Sequence, residues 1–502
     1  MVRTVFIFIA SLLLYLPFLS VQYDLNGINE AEAIRNGDLI ARNHLLYRPV
    51  AATVLWFFSH YVAGDPQKYY VALQVLTAVT AGLSVAVLFI FLRRHAKHSM
   101  VAAVGVFWFA TTPSFWRFSI DVYYMPLAVL CVCVMLYVLL NEGFLALSLW
   151  LRCIVLACLT VLAITAWQAL ILLTIPVSYI ILTSTWFHTS RKGRVALTGA
   201  YLVATGVITL LLYGIVGLID HQVSDITDII PYILGYDGTT LPVWGSFATE
   251  RITPLVEQMY RSLFVSRWIV PLVVLCTLLG LYLAQDTVKR WLHHIIAVIL
   301  SYSVFLPFLF WWDPYEAKWF VVPNLFLVVG VTLLIARSQE RQNAQKKHTR
   351  VKLFGLFKQH LSKMLIIGFI SMVVVQAVLT GYRIVLPLSQ NVNQQLSLAS
   401  CVAQQMDDND IFLETDWNWP GYLRYFYGKD VVSIFQQPEF SSNILGVQAD
   451  QQVVYLDDFP SYTEIHQEWL EQQTGFTDED FAELNPLPAF TCGDVQIYKA
   501  EP

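Results

Sequence analysis

Three polar stretches, set apart by long apolar runs, each bring acids and cations together. Residues 23–49, YDLNGINEAEAIRNGDLIARNHLLYRP, carry Asp24, Glu30, His44 and Arg48; FWRFSID at 115–121 carries Arg117 and Asp121; WWDPYEAKW at 311–319 carries Trp312, Asp313, Glu316 and Lys318. A carboxylate within hydrogen-bond reach of a hydroxyl can take its proton as the oxygen attacks. Cations nearby can hold the charge that builds on a departing phosphate. Asp24 is the leading candidate for the base, because it directly follows the apolar run 4–21 and precedes the Asn26-Gly27 turn, which holds it at a membrane surface. Local turn capping is the plain alternative. Asp121 and Glu30 are further acidic candidates, although a helix dipole also accounts for Glu30. Asn29 and Glu32 have the spacing of a capping box, with Asn29 as N-cap. Arg48, His44, Arg117 and Lys318 are the candidate phosphate ligands, although each alone is more often an interfacial snorkelling residue. No His and acid cluster has metal-ligand spacing, so no cofactor or metal is indicated, and a divalent ion is left open.

The elements that must position these groups are membrane helices. Apolar residues make up 57% of the 502 and charged residues only 13%, far from the balance of a soluble domain. Eleven runs are marked off as spans: 3–21, 69–92, 99–113, 122–140, 150–167, 169–187, 195–218, 266–284, 292–310, 318–336 and 363–382. With the N-terminus cytoplasmic, the basic stretches 93–98, 191–194, 288–294 and 337–352 fall on one side. The three polar stretches and the C-terminal tail then fall on the other. The first outside loop is 22–68, and residues 219–265 read as an amphipathic surface segment with a Tyr-Asp-Gly turn at 236–238.

From Arg383 the composition changes to four Lys or Arg against nineteen Asp or Glu. Stretches 410–416, 430–435, 452–459 and 494–500 read as strands, alternating with helical 420–428 and 461–475. The expected fold is an α-helical polytopic membrane protein, residues 1–382, followed by an extracytoplasmic α/β domain with a largely parallel sheet, residues 383–502. Five of the seven cysteines lie in spans. The other two, Cys401 and Cys492, are alone in the tail and suggest a disulfide formed in an oxidising compartment. Trp417, in ETDWNWPGY, is a candidate sugar-stacking residue or a core aromatic.

The acidic first loop beginning Tyr23-Asp24, NHLLYRP at 43–49, FWRFSIDVYYMP at 115–126 and FLFWWDPYEAKWFVVP at 308–323, in that order and on one side, resemble the C-type membrane glycosyltransferases. That superfamily includes protein mannosyltransferases, aminoarabinose transferases and oligosaccharyltransferase catalytic subunits. The chain differs from the first in having Leu25 after Asp24, and from the last in lacking a WWDYG-type motif in the tail. The resemblance implies inverting transfer of a sugar from a polyprenyl-phosphate donor to a lipid, glycan or protein acceptor at the outer face, here of a bacterial inner membrane. It also implies Asp24 as base and Asp121 as a second acid; Trp312, Glu316 and Trp417 are the candidate sugar- or acceptor-binding residues. Membrane lipid is an expected partner and nucleic acid is not. The competing class is a transporter or flippase of a lipid-linked sugar, which would be expected to place ionisable residues at the membrane midplane and to repeat its halves.

Overall fold

The computed structural model describes residues 2–96, 98–139, 147–183, 190–234, 249–345, 353–414, 419–433, 453–456 and 477–500. The protein is an integral membrane protein, mostly helical, with a small sheet near its C-terminus. Among the described residues, Pro66–Ala96, Arg191–Ile219, Ala317–Ser338 and His360–Gln405 are long and apolar enough to cross a bilayer. The other apolar runs, as far as their residues are described, also lie in helix. Contacts divide the chain into two units: residues 1–19, 38–57 and 73–389 form one, and residues 20–37, 58–72 and 390–502 form the other. The second unit therefore joins parts of the first loop to the tail, which a linear boundary at 382/383 does not capture.

In the first unit, helices approach closely where a side chain is missing. A Cβ on Gly105 would lie 2.2 Å from Thr332 Oγ1, so helix Ser99–Ala110 meets helix Val321–Gln345 at that point. The amphipathic segment expected within 219–265 is helix Ile252–Leu263; the 236–238 turn lies outside the described residues. Ser114 Oγ donates to Ser262 O at 2.8 Å, Asn324 Nδ2 to Ser262 Oγ at 2.9 Å and Gln376 Nε2 to Leu263 O at 2.6 Å. The bonds from Ser114 and Gln376 satisfy carbonyls that a helix end leaves open, and the three together tie the surface helix to three others.

One expectation changes here. The spans expected at 266–284 and 292–310 are largely one continuous helix, Ile269–Ser303, followed by the short helix Phe305–Trp311. The basic stretch between them contains no Gly or Pro to stop a helix, so the backbone runs on through it. The break between the spans marked at 150–167 and 169–187 falls at Trp167, an extended residue (φ −158°, ψ 115°) between helix Leu149–Ala166 and a 3₁₀ segment Gln168–Leu173. Leu46 N donates to Thr165 O at 2.9 Å, so the first loop is bonded to the end of that helix.

In the second unit five strands, β1 (Ile411–Glu414), β2 (Asp430–Ser433), β3 (Val454–Leu456), β4 (Leu487–Cys492) and β5 (Val495–Ala500), are ordered β2-β1-β3-β5-β4. β1 is parallel to β2 and β3, while β5 is antiparallel to β3 and β4. The sheet is thus mixed rather than largely parallel, because β4 and β5 form a hairpin turning at Gly493 (φ +61°). Cys401, on helix Gln394–Gln405, is bonded to Cys492 at the end of edge strand β4. The helix expected at 461–475 lies outside the described residues.

Helix Leu25–Arg35 packs on helix Pro420–Tyr427 within this unit. A Cβ on Gly421 would come within 2.5 Å of Leu25 Cδ1, so the Leu25 side chain rests directly on the backbone of the second helix. Tyr422 Oη donates to Tyr23 O. Arg424 donates from Nε to both Glu32 oxygens at 2.8 and 2.7 Å, and its Nη2 lies 2.7 Å from Glu32 Oε2. Arg35 Cζ sits 4.7 Å over the Tyr425 ring, and burial pushes the Tyr425 hydroxyl pKa up, keeping it a donor to Pro66 O at 3.1 Å. The capping box expected at Asn29 and Glu32 is not formed. The helix begins at Leu25, and Glu32 turns to Arg424 instead.

Candidate active site

The first unit gathers side chains from several of the polar segments. The residues between helices Pro113–Ser119 and Met125–Leu139 include Asp121, Tyr123 and Tyr124. Asp121 is buried; its Oδ1 accepts from Val122 N at 2.8 Å and from Gln74 Nε2 at 3.4 Å. The Gln74 bond holds the link between the helices against helix Pro66–Ala96. Tyr124 stacks on the buried His44 ring with centroids 4.1 Å apart and planes 5° apart, which brings the first loop to this link. Lys318, in the 3₁₀ turn Ala317–Phe320, is also buried. Its Nζ is 6.0 Å from the Tyr123 ring centroid, 4.9 Å from the Trp319 centroid and 3.8 Å from Glu316 Oε2. A buried ammonium in contact with two ring faces is partly compensated by the rings.

Trp319 links this cation to an aromatic cavity. Its indole donates to Asp313 Oδ2 at 3.0 Å and stacks on Trp167 with centroids 5.8 Å apart; Trp312 meets it edge-on at 6.1 Å. The cavity holds about 220 Å³ and is bounded by Trp167, Trp311, Trp312, Trp319, Tyr124 and Phe308, with Asn43 and Gln168 among the few polar groups. Trp167 was not singled out from sequence. The signal was present in the apolar run that stops there with neither Pro nor Gly, but only the fold shows that the break aims an indole at Trp319.

The remaining candidates are distributed as follows. Arg117 is exposed on helix Pro113–Ser119, with its guanidinium 5.3 Å over the Phe118 ring. Arg48 Nη1 bonds Asp38 Oδ2 at 2.7 Å and Ile40 O at 3.0 Å, so it braces its own loop. Glu316 is exposed beside Lys318. Asp24 belongs to the second unit, half-buried, as N-cap of helix Leu25–Arg35; its Oδ1 accepts from Asn26 N at 3.0 Å and Asn26 Nδ2 at 2.9 Å. Glu30 is buried on the same helix. Trp417 lies outside the described residues. Among the described residues no three His, Cys, Asp or Glu gather as metal ligands.

The fold is similar to that of solved membrane proteins of two kinds, ArnT and an archaeal oligosaccharyltransferase. ArnT from Cupriavidus metallidurans, solved bound to undecaprenyl phosphate, superposes with a TM-score of 0.56 at 13% identity, over 99% of this chain and 98% of its own. The same protein in its apo state gives 0.57 at 12% identity, with 99% and 97% covered. The archaeal oligosaccharyltransferase AglB from Archaeoglobus fulgidus, in complex with an inhibitory peptide and a dolichol-phosphate, gives 0.52 at 11% identity, covering 91% of this chain and 69% of its own. At these identities the likeness is one of fold. No protein-family model and no curated protein matches the chain.

Proposed function

We propose that this protein transfers a sugar from a polyprenyl-phosphate donor to a hydroxyl-bearing lipid, glycan or protein acceptor at the extracytoplasmic membrane face, with inversion. The observation that carries the reading is a buried Lys318 ammonium against Trp319, a wall of the aromatic cavity, in a fold shared with proteins solved with undecaprenyl phosphate and dolichol phosphate. The cavity accepts the first isoprene units, whose apolar surface suits indole walls. Lys318 holds the phosphate, with Arg117 as second cation on the neighbouring helix.

In the reaction the acceptor oxygen attacks the anomeric carbon as the bond from that carbon to the phosphate oxygen breaks. The electron pair leaves with the polyprenyl phosphate, whose charge the cations stabilise. The acceptor proton passes to a carboxylate, for which Asp24 is the candidate; Asp121 orders the loop that carries Tyr123 and Tyr124. One displacement from the face opposite the leaving phosphate inverts the anomeric centre. The Cys401–Cys492 disulfide supports an extracytoplasmic tail, since such bonds persist in oxidising compartments.

The test uses purified protein in lipid nanodiscs with polyprenyl-phosphate sugars labelled in the sugar. Label appearing in a second molecule of the membrane extract supports transfer. Label that stays on the polyprenyl phosphate with every acceptor fraction refutes it.

A further inference from the structure

Away from the aromatic cavity, the first unit carries an open cleft of about 560 Å³ where helix Ile252–Leu263 ends and helix Ile269–Ser303 begins. Three guanidinium groups, Arg261, Arg267 and Arg383, line it together with Tyr260, Phe264 and Trp268, and no acidic residue does. Arg261 is already engaged, with Nη2 paired to Glu257 Oε1. Arg267 lies 5.8 Å over the Trp268 ring, and Arg383 comes from a π-helical turn, Gly381–Val385, directly after helix Leu353–Thr380. All three arginines are exposed.

Two further observations say what such a cleft faces. Trp268 is 76% exposed and Tyr382 70% exposed, and large aromatics left open at the ends of apolar helices mark the membrane–water interface. Below them, both flanking helices turn apolar side chains outward: Leu272, Leu275 and Leu278 on one, Val374 and Val378 on the other. A soluble protein would not leave such ridges bare; acyl chains cover them. The cleft thus presents cations at headgroup level above two apolar ridges. None of its lining residues borders the aromatic cavity.

We propose that this cleft binds the anionic headgroup of a membrane phospholipid, with Arg267 and Arg383 gripping the phosphate and the acyl chains lying along the Leu272–Leu278 and Val374–Val378 ridges. Arginine suits the task because its planar fork meets two phosphate oxygens at once. The proposal concerns a second lipid site and does not depend on the transferase reading.

The experiment is native mass spectrometry of the full-length protein released from detergent, titrated with phosphatidylglycerol or with phosphatidylcholine of the same acyl chains. The wild type is expected to retain the anionic lipid roughly tenfold more than the zwitterionic one, in line with two charge-assisted contacts. In the double variant Arg267→Gln with Arg383→Gln the preference should fall to within about twofold, while Arg267→Lys with Arg383→Lys should keep most of it, because the point charges remain. Millimolar inorganic phosphate should not displace the lipid. No preference in the wild type, or an undiminished preference in the glutamine variant, would overturn the proposal. Displacement by inorganic phosphate would overturn the lipid as occupant in favour of a soluble phosphate ligand.

Discussion

Replacing Asp24 by asparagine separates the cap that the structure shows from the proposed role as base. As N-cap, Asp24 accepts from Asn26 N and Asn26 Nδ2 through Oδ1. An asparagine carbonyl oxygen can accept the same two bonds, and Asn ranks with Asp at N-caps, so helix Leu25–Arg35 should keep its start with a stability change within about 0.5 kcal/mol. An amide cannot take a proton at neutral pH. If Asp24 is the base, transfer should slow on the order of 100-fold or more, which is about 2.7 kcal/mol on the barrier. Asp24→Ala removes both functions and should add roughly 1 kcal/mol of destabilisation from the lost cap. Initial rates of label transfer, read beside thermal unfolding of the same preparations, test both halves. An asparagine variant within a fewfold of wild-type rate would reduce Asp24 to a cap. An asparagine variant as destabilised as the alanine one would show that the cap reasoning is wrong.

Three other outcomes are expected. Lys318→Ala should weaken binding of the polyprenyl-phosphate donor more than that of the acceptor, by about tenfold or more for a lost charge-assisted contact, with Arg117→Ala the smaller effect because that group is exposed; unchanged donor affinity in both would move the phosphate site elsewhere. Arg424→Ala should release helix Leu25–Arg35 from helix Pro420–Tyr427, at about 1.5–3 kcal/mol for hydrogen bonds to a charged group, seen as faster proteolysis within residues 20–37; an unchanged cleavage rate would contradict it. Reduction of Cys401–Cys492, whose residues are 91 apart, should destabilise the second unit by up to roughly 4 kcal/mol in the chain-entropy model; two thiols alkylated in denatured, unreduced protein would show that the bond does not form.

The sequence made some of this architecture readable and hid the rest for physical reasons. Apolar runs and polar hairpins are local, so the helices and the Lys318 and Tyr123 segments could be marked off from charge alone. Which of Asp24 and Asn29 caps the first-loop helix could not, because both are competent caps and the choice depends on Glu32 meeting Arg424, 392 residues away. Strand β4 was missed since Pro486 and Pro488 argue against a strand. Pro488 is accommodated on an edge strand, beside the register irregularity between 488 and 490. The aromatic cavity needed Trp167 and Trp319 to stack across 152 residues of chain, a pairing that no spacing rule carries.

The central claim is that a sugar leaves a polyprenyl phosphate and forms a new bond. It is tested most directly by incubating purified protein in nanodiscs with a sugar-labelled polyprenyl-phosphate donor and membrane lipid extract, then following both products. The account predicts acceptor-dependent label in a second molecule, with an equal amount of unglycosylated polyprenyl phosphate released. Donor that crosses the bilayer with its sugar still attached, and no label in any acceptor, would contradict the account and identify the protein as a carrier.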